Sequence, residues 1–197
     1  MEKDNIQNLL LKVGRQMVRD YGADALTVRK LSEASGCSVG AIYNQFANME
    51  NFVVIINYLT MENLVSRLEK VKITKNPYVD MNNLLTQFVD FVTENKNLWY
   101  LLYSFHLKNS KREYSLFYLR KVVRIIDIVN KLVERIVPNM EVPERVLSAE
   151  VLWLTVFSVS SLLTNDILDN FSKVDKQNIC QILFNTYIAG LTVLEKK

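Results

Sequence analysis

Residues 26–52 read LTVRKLSEASGCSVGAIYNQFANMENF, and the punctuation of this stretch decides the fold. Two short helical segments, Val28 to Ala34 and Val39 to Phe46, are separated by Ser35-Gly36-Cys37-Ser38. Thr27 stands at the N-cap of the first, where its hydroxyl can accept from a free first-turn amide. Leu31 and Ala34 lie three apart and face inward. Gly36 can take the positive φ of a tight turn. Ser38 caps the second segment, whose inward side reads Val39, Ile42 and Phe46. Asn48 caps a further helix, with Glu50 in its first turn where the helix dipole favours a carboxylate. Two short helices about a four-residue, Gly-containing turn describe a helix-turn-helix unit. In that unit the first helix crosses a duplex backbone and the second puts its N-terminal residues into the major groove. Free amides at the start of the second helix also favour a phosphate.

Helical periodicity continues on both sides. Upstream, Ile6, Leu9, Leu10, Val13, Met17 and Tyr21 are spaced 3, 1, 3, 4 and 4, an amphipathic stripe that Gly22 ends. Downstream, the helix after Asn48 runs on through Phe52, Ile55, Ile56, Leu59, Leu64 and Leu68. Asn76-Pro77 breaks the pattern, with Pro77 suited to a first helical position. Helices are expected over about 78–94, 98–107, 113–136, 143–170 and 175–195. Asn95-Lys96-Asn97, Asn109-Ser110 and the Pro138–Pro143 loop divide them. The fold class is therefore all-α, with about nine helices. A three-helix module over 1–50 precedes a larger helical domain over 51–197.

Composition agrees. In 197 residues there are only 5 Gly and 3 Pro, too few turn formers for a β-rich chain, and 49% apolar residues suffice for a sizeable core. Cys37 and Cys180 form no disulfide framework and read as small packing residues in a reducing cytoplasm. No apolar stretch with signal-peptide character follows the N-terminus. The uncharged run Val151–Asn165 is 15 residues long, short of the roughly 18–20 that span a bilayer, and reads as a buried helix. Net charge is +3, which permits nucleic-acid binding without demanding it. A single His, no clustered metal ligands and no Gly-rich phosphate loop argue against an enzyme, a metal site or a bound cofactor.

The run from Leu26 to Phe52 resembles the DNA-binding signature of TetR/AcrR-type regulators. The elements Thr-Val-Arg-x-Leu, Ser-Gly-Cys-Ser-x-Gly, Ile-Tyr-x-x-Phe and Asn-x-Glu-x-Phe fall at the family's spacing, over about a quarter of the chain. The resemblance implies a cytoplasmic homodimer on a near-palindromic operator, a C-terminal domain that binds an effector, and usually repression. It implies that Thr27, Tyr43 and the amide at Ser38 or Val39 hold phosphates. Arg29, Gly40, Ala41, Asn44 and Gln45 would lie at or near base edges, and Val28 would belong to the same DNA-binding set. Asn and Gln pair with adenine, and an Ala methyl meets a thymine methyl. The chain departs from the family at Gln45, where His is common, and at Ala47 and Met49, where Lys is common. Residues 1–50 hold six bases (Lys3, Lys12, Arg15, Arg19, Arg29, Lys30) and six acids (Glu2, Asp4, Asp20, Asp24, Glu33, Glu50), a balance of zero. Few phosphate contacts and a shallow salt dependence are expected of such a module.

Nine of the chain's 20 aromatic residues fall in residues 88–118, where about three would fall by chance. Helical aromatic clusters are either core or the wall of a pocket for an apolar or planar effector. The pocket reading takes Phe88, Phe91, Trp99, Tyr103, His106, Phe117 and Tyr118, with Trp153 and Phe157 from the following helix. Arg120, Arg124, Lys131 and Arg135 with Asp127 and Glu134 read as an i,i+4 ion-pair surface. The last two helices read as a dimer interface through Leu154, Ser158, Ser161, Leu162, Ile182, Leu183, Thr186 and Gly190. The 143–170 helix is apolar on both sides, so one side can face its own core and the other a partner. The expected result is a four-helix bundle across a two-fold axis.

Overall fold

Every regular element of the computed structural model is helical among the described residues, which are 2–108, 116–164 and 176–194. The helices are α1 (Glu2–Tyr21), a 3-10 turn (Ala23–Ala25), α2 (Val28–Ser35), α3 (Val39–Phe46), α4 (Met49–Leu68), α5 (Pro77–Glu94), α6 (Lys96–Lys108), α7 (Leu116–Ile136), α8 (Val142–Leu163) and α9 (Lys176–Leu194). Local chemistry explains most of the boundaries. Pro77 opens α5, and the Asn76 side chain accepts from the amides of Tyr78 (3.0 Å) and Val79 (3.3 Å). Only Asn95 separates α5 from α6, so the break read over three residues is one residue wide. The expected starts at 113 and 175 and the expected end at 170 lie outside the described residues, as do Asn109, Ser110 and Tyr114.

The chain divides into two compact units, Met1–Glu62 with Asn95–Glu113, and Asn63–Glu94 with Tyr114–Lys197. In the first, α6 packs with α1 although some seventy residues separate them along the chain. The Asn97 side chain donates to the Arg19 carbonyl at 2.8 Å, and Arg19 donates to Asn95 at 3.3 Å. Leu98 and Leu101 join Leu10, Val18, Leu31, Ile42, Phe46, Phe52 and Ile56 in one core. Phe46 and Phe52 meet edge to face at 4.7 Å. Gly14 makes room for this pair, because a Cβ there would lie 2.6 Å from the Phe52 ring.

In the second unit α7 and α8 pack most extensively, with α5 and α9 alongside. Arg145, nearly buried, ties α8 to α7 through Asn130 (3.3 Å) and Glu134 (3.1 Å). Arg67 bridges to Gln87 (2.9 Å) and bidentately to Glu94 (2.5 and 3.0 Å). Two cations expected to pair along their own helix pair elsewhere instead: Arg124 reaches Glu69 at 2.7 Å and Arg135 reaches Asp80 at 2.7 Å. Spacing shows which charges share a face, but a partner on another element competes on distance alone.

Asp80 is fully buried and accepts from the Thr74 amide (2.9 Å), the Thr74 hydroxyl (2.7 Å) and Arg135 (2.7 Å). Burial works to raise its pKa, and the Thr74 and Arg135 hydrogen bonds outweigh that, leaving it below the ordinary 3.8. A depressed folded value means that the stabilisation is complete above the unfolded value and fades as pH falls through the folded one. The Asp80→Asn variant should therefore melt several degrees lower at neutral pH. Its deficit against the parent should shrink as melts are taken down to about pH 3; a deficit that is constant with pH would contradict the ion pair.

Within α8, Val142–Leu162 is long and apolar enough by composition to cross a membrane, but 44% of that window is buried and Arg145 is anchored in its own unit. The two sides of α8 differ. Leu152, Trp153, Val156 and Ser160 are buried, whereas Leu147, Val151, Leu154 and Leu162 are exposed.

Candidate nucleic-acid interface

Short-range hydrogen bonds build the turn between α2 and α3. The Thr27 hydroxyl accepts from the Lys30 amide at 3.3 Å and Ser38 accepts from the Ala41 amide at 3.1 Å, so both N-caps form as read. The Ser32 hydroxyl donates to the Cys37 carbonyl at 2.6 Å, and the Cys37 amide donates to the Ser35 hydroxyl at 3.2 Å. Gly36 takes φ 69°, the left-handed region. Since α2 continues to Ser35, the turn is Gly36–Ser38, one residue shorter than expected. Leu31 is buried as expected, but Ala34 is exposed and borders an open groove beside Met17 and Tyr21 of α1 instead of packing.

Helix α3 ends abruptly at Ala47, which has φ 62° and ψ −43°. The Asn48 amide donates to the Phe46 carbonyl at 2.7 Å, which closes a γ-turn of the strained, positive-φ form. The Asn48 side chain then accepts from the Asn51 amide at 2.7 Å and starts α4. Met49 packs against the core rather than standing free in solvent. The two positions without the family's lysines are thus a backbone corner and a packing residue.

Ile42 and Phe46 turn inward from α3, while Tyr43 is 42% exposed and Asn44 is also exposed. Gln45 and Ala41 are half-buried. Val39, expected inward, is 40% exposed, because it is the first residue of the helix and precedes the turn that packs. Gly40 is exposed, and a Cβ there would meet only the Ser38 hydroxyl, at 3.9 Å. On α2, Thr27, Arg29 and Lys30 are exposed and Val28 is half-buried. Arg29 Nε donates to Glu33 at 3.1 Å. Together these residues make a surface of mixed polar, aromatic and small apolar side chains around the start of α3, with no steric demand from the chain itself at Gly40.

The aromatic set is divided between the units. Phe88, Phe91, Tyr118, Trp153 and Phe157 belong to the second, Trp99 and Tyr103 to the first. Phe88, Phe91, Trp99 and Trp153 are buried, and the others are half-buried. Phe88 meets Trp153 edge to face at 5.9 Å, and Trp153 meets Phe157 at 5.5 Å. The side chains of His106, Phe117 and Cys180 lie outside the described residues. Sequence reading passed over Asn57, which is buried with neither atom of its carboxamide hydrogen-bonded. Its signal was available, as the polar member of the apolar run from Phe52 to Leu59. Among the described residues no cluster of three metal-ligating side chains occurs.

Of the residues read as an interface, Leu154 (61%) and Ile182 (66%) are widely exposed, Ser158, Leu162, Thr186 and Gly190 are exposed, and Leu183 is half-buried. Ser161 does not share that face: it is fully buried and donates to the Phe157 carbonyl at 2.7 Å. Spacing alone placed it one helical step from Ser158, on a helix whose two apolar sides periodicity does not distinguish. An open groove of about 460 Å³ runs along the α8–α9 face, lined by Leu152, Thr155, Ile179, Ile182, Leu183, Thr186 and Tyr187.

A capped helix-turn-helix on an all-helical frame is the architecture of a DNA-binding regulator. Residues 10–54, the stretch that holds the helix-turn-helix, match the family of bacterial regulatory proteins of the tetR type. Solved structures share the fold over nearly the whole chain. A transcriptional regulator from Rhodococcus sp. Rha1 is 15% identical with TM-score 0.72, covering 93% of this chain and 96% of that one. The TetR-family regulator PfmR from Thermus thermophilus is 15% identical with TM-score 0.64, covering 91% and 97%. The fatty acid degradation regulator FadR from Bacillus halodurans is 16% identical with TM-score 0.70, covering 94% and 96%. No curated protein matches the chain.

Proposed function

We propose that the chain is a cytoplasmic, homodimeric repressor that places α3 of each subunit in one half-site of a near-palindromic operator and leaves it on binding a small apolar or aromatic effector. The observation that carries the DNA contact is the outward display of Tyr43 and Asn44 on a helix capped at Ser38. Thr27, Tyr43 and the amide at Ser38 or Val39 hold phosphates. Arg29, Gly40, Ala41, Asn44 and Gln45 face base edges, with Val28 beside them. The exposed apolar residues of α8 and α9 support the dimer, with 1–50 as the reading head and 51–197 as the effector and dimer domain. A Cβ added at Gly190 would have nothing within 4 Å, which suits a close partner helix. The packed aromatics of the second unit, Phe88, Phe91, Trp153 and Phe157, support an apolar effector.

The test is duplex binding by variants. Tyr43→Ala should weaken binding to every duplex alike, whereas Asn44→Ala and Gln45→Ala should change base preference by about 1–3 kcal/mol at the contacted pair. Unchanged affinity and preference in all three would remove α3 from the groove.

Gly40 offers a contrast between stability and binding. A helical glycine costs up to about 1 kcal/mol against alanine, and the chain itself leaves room for a methyl at this position. Gly40→Ala should melt roughly 2–4 °C higher and bind its duplex more weakly. A tighter or equal affinity would mean that no base or phosphate approaches this backbone.

A second reading, a helical regulator acting through a protein partner, draws on the zero charge of residues 1–50 and the uncharged Ala47 and Met49. Retention of the chain on a partner, with no duplex selected, would favour it.

A further inference from the structure

Glu33 is an exposed carboxylate on α2, the helix that leads into the turn before α3. Glu33 lies one turn after Arg29 on α2, and its Oε1 accepts from Arg29 Nε at 3.1 Å. Both side chains are well exposed, at 88% for Arg29 and 64% for Glu33, so burial does not force the pairing. The neighbouring Ser32 is bonded to the Cys37 carbonyl, which fixes this edge of α2 beside the turn leading into α3. An acid in that place opposes a polyanion, and it is one of the six acids that cancel the module's charge.

We propose that Glu33 is a positioning residue that sets sequence discrimination, a proposal that rests on the DNA-binding reading above. A guanidinium has five N–H donors in a planar fork. A carboxylate on the Nε edge leaves the two terminal nitrogens presented together, the pattern that pairs with guanine O6 and N7. On a duplex with guanine at that position, Arg29 bonds the base while Glu33 still holds its other edge. On any other duplex, Arg29 stays with Glu33, and the carboxylate faces the phosphates with nothing gained in return. Attraction to the right partner and repulsion from the wrong one then come from a single ion pair. The low net charge of the module becomes a means of suppressing non-specific binding.

Two substitutions separate the two roles. Glu33→Gln keeps an acceptor for Arg29 Nε and loses the charge; Glu33→Ala loses both. A duplex is first selected by the parent protein from a random double-stranded library. Its affinity is then compared with that of a scrambled duplex of equal length, over a range of salt. Glu33→Gln should bind the scrambled duplex about two- to fivefold tighter, the range of an exposed ion pair. Its salt slope should be steeper by about one contact, and its base preference should be unchanged. Glu33→Ala should show the same gain and, in addition, a relaxed preference at one base pair of the selected site. Arg29→Ala should relax that same base pair. Melting curves of the variants should match the parent, since both groups are exposed. If the parent selects a duplex and both Glu33 variants keep its specificity ratio and salt slope, the proposal is overturned while the DNA-binding reading stands. If the parent selects no duplex, both fall.

Discussion

The double variant Leu154→Glu, Ile182→Glu is expected to be a folded monomer that loses about a hundredfold or more of the parent's affinity for a duplex with two half-sites. Both side chains project into solvent, at 61% and 66% exposure, so the carboxylates cost the isolated subunit little. In the proposed dimer the same positions would face apolar groups across a two-fold axis, where burying an unpaired charge is costly. Linking two reading heads makes the second half-site encounter intramolecular, and that gain disappears in a monomer. Sedimentation reads the first effect and duplex titration the second. A parent that sediments as a monomer at micromolar concentration, or a variant that remains a dimer, would end the interface proposal. Affinity for a single half-site should change little, which separates loss of dimerisation from loss of the reading surface.

Gly14→Val should be the most damaging single change in the first unit. A Cβ at Gly14 would sit 2.6 Å from Phe52 Cζ, and that ring is fully buried against Phe46. The ring cannot swing into solvent, so α1 and α4 must separate or Phe52 must leave its rotamer. Overpacking of this kind costs about 1–3 kcal/mol, or a melting temperature lower by roughly 3–10 °C. Gly14→Ala should fall between parent and valine, because alanine recovers about 1 kcal/mol of helix propensity. Phe46 is the last residue of α3, so the strain reaches the corner at Ala47 and duplex affinity should fall with stability. Melts of both variants at or above the parent temperature would show that the contact has slack.

Local chemistry made much of the reading surface legible before any coordinates. The span of α3, the caps at Thr27, Ser38 and Asn48, and the left-handed Gly36 depend on groups within three or four residues of one another. A capping hydroxyl and its amide are close in sequence, so the sequence nearly contains the bond. The corner at Ala47 was not legible, because alanine has no preference for positive φ. It is held there by Phe46 on one side and the Asn48 cap on the other.

What the sequence by itself determined is the all-helical class, the helix-turn-helix and the outward placement of Tyr43 and Asn44 on its second helix, since each is a matter of period and capping within one turn. Only the tertiary structure decided that α6 joins α1, that Arg135 serves Asp80 rather than its own helix, that Gly14 exists for Phe52, and which apolar side of α8 is left bare. Those choices depend on distances between residues far apart along the chain. Periodicity names the faces of a helix but leaves open what each face meets.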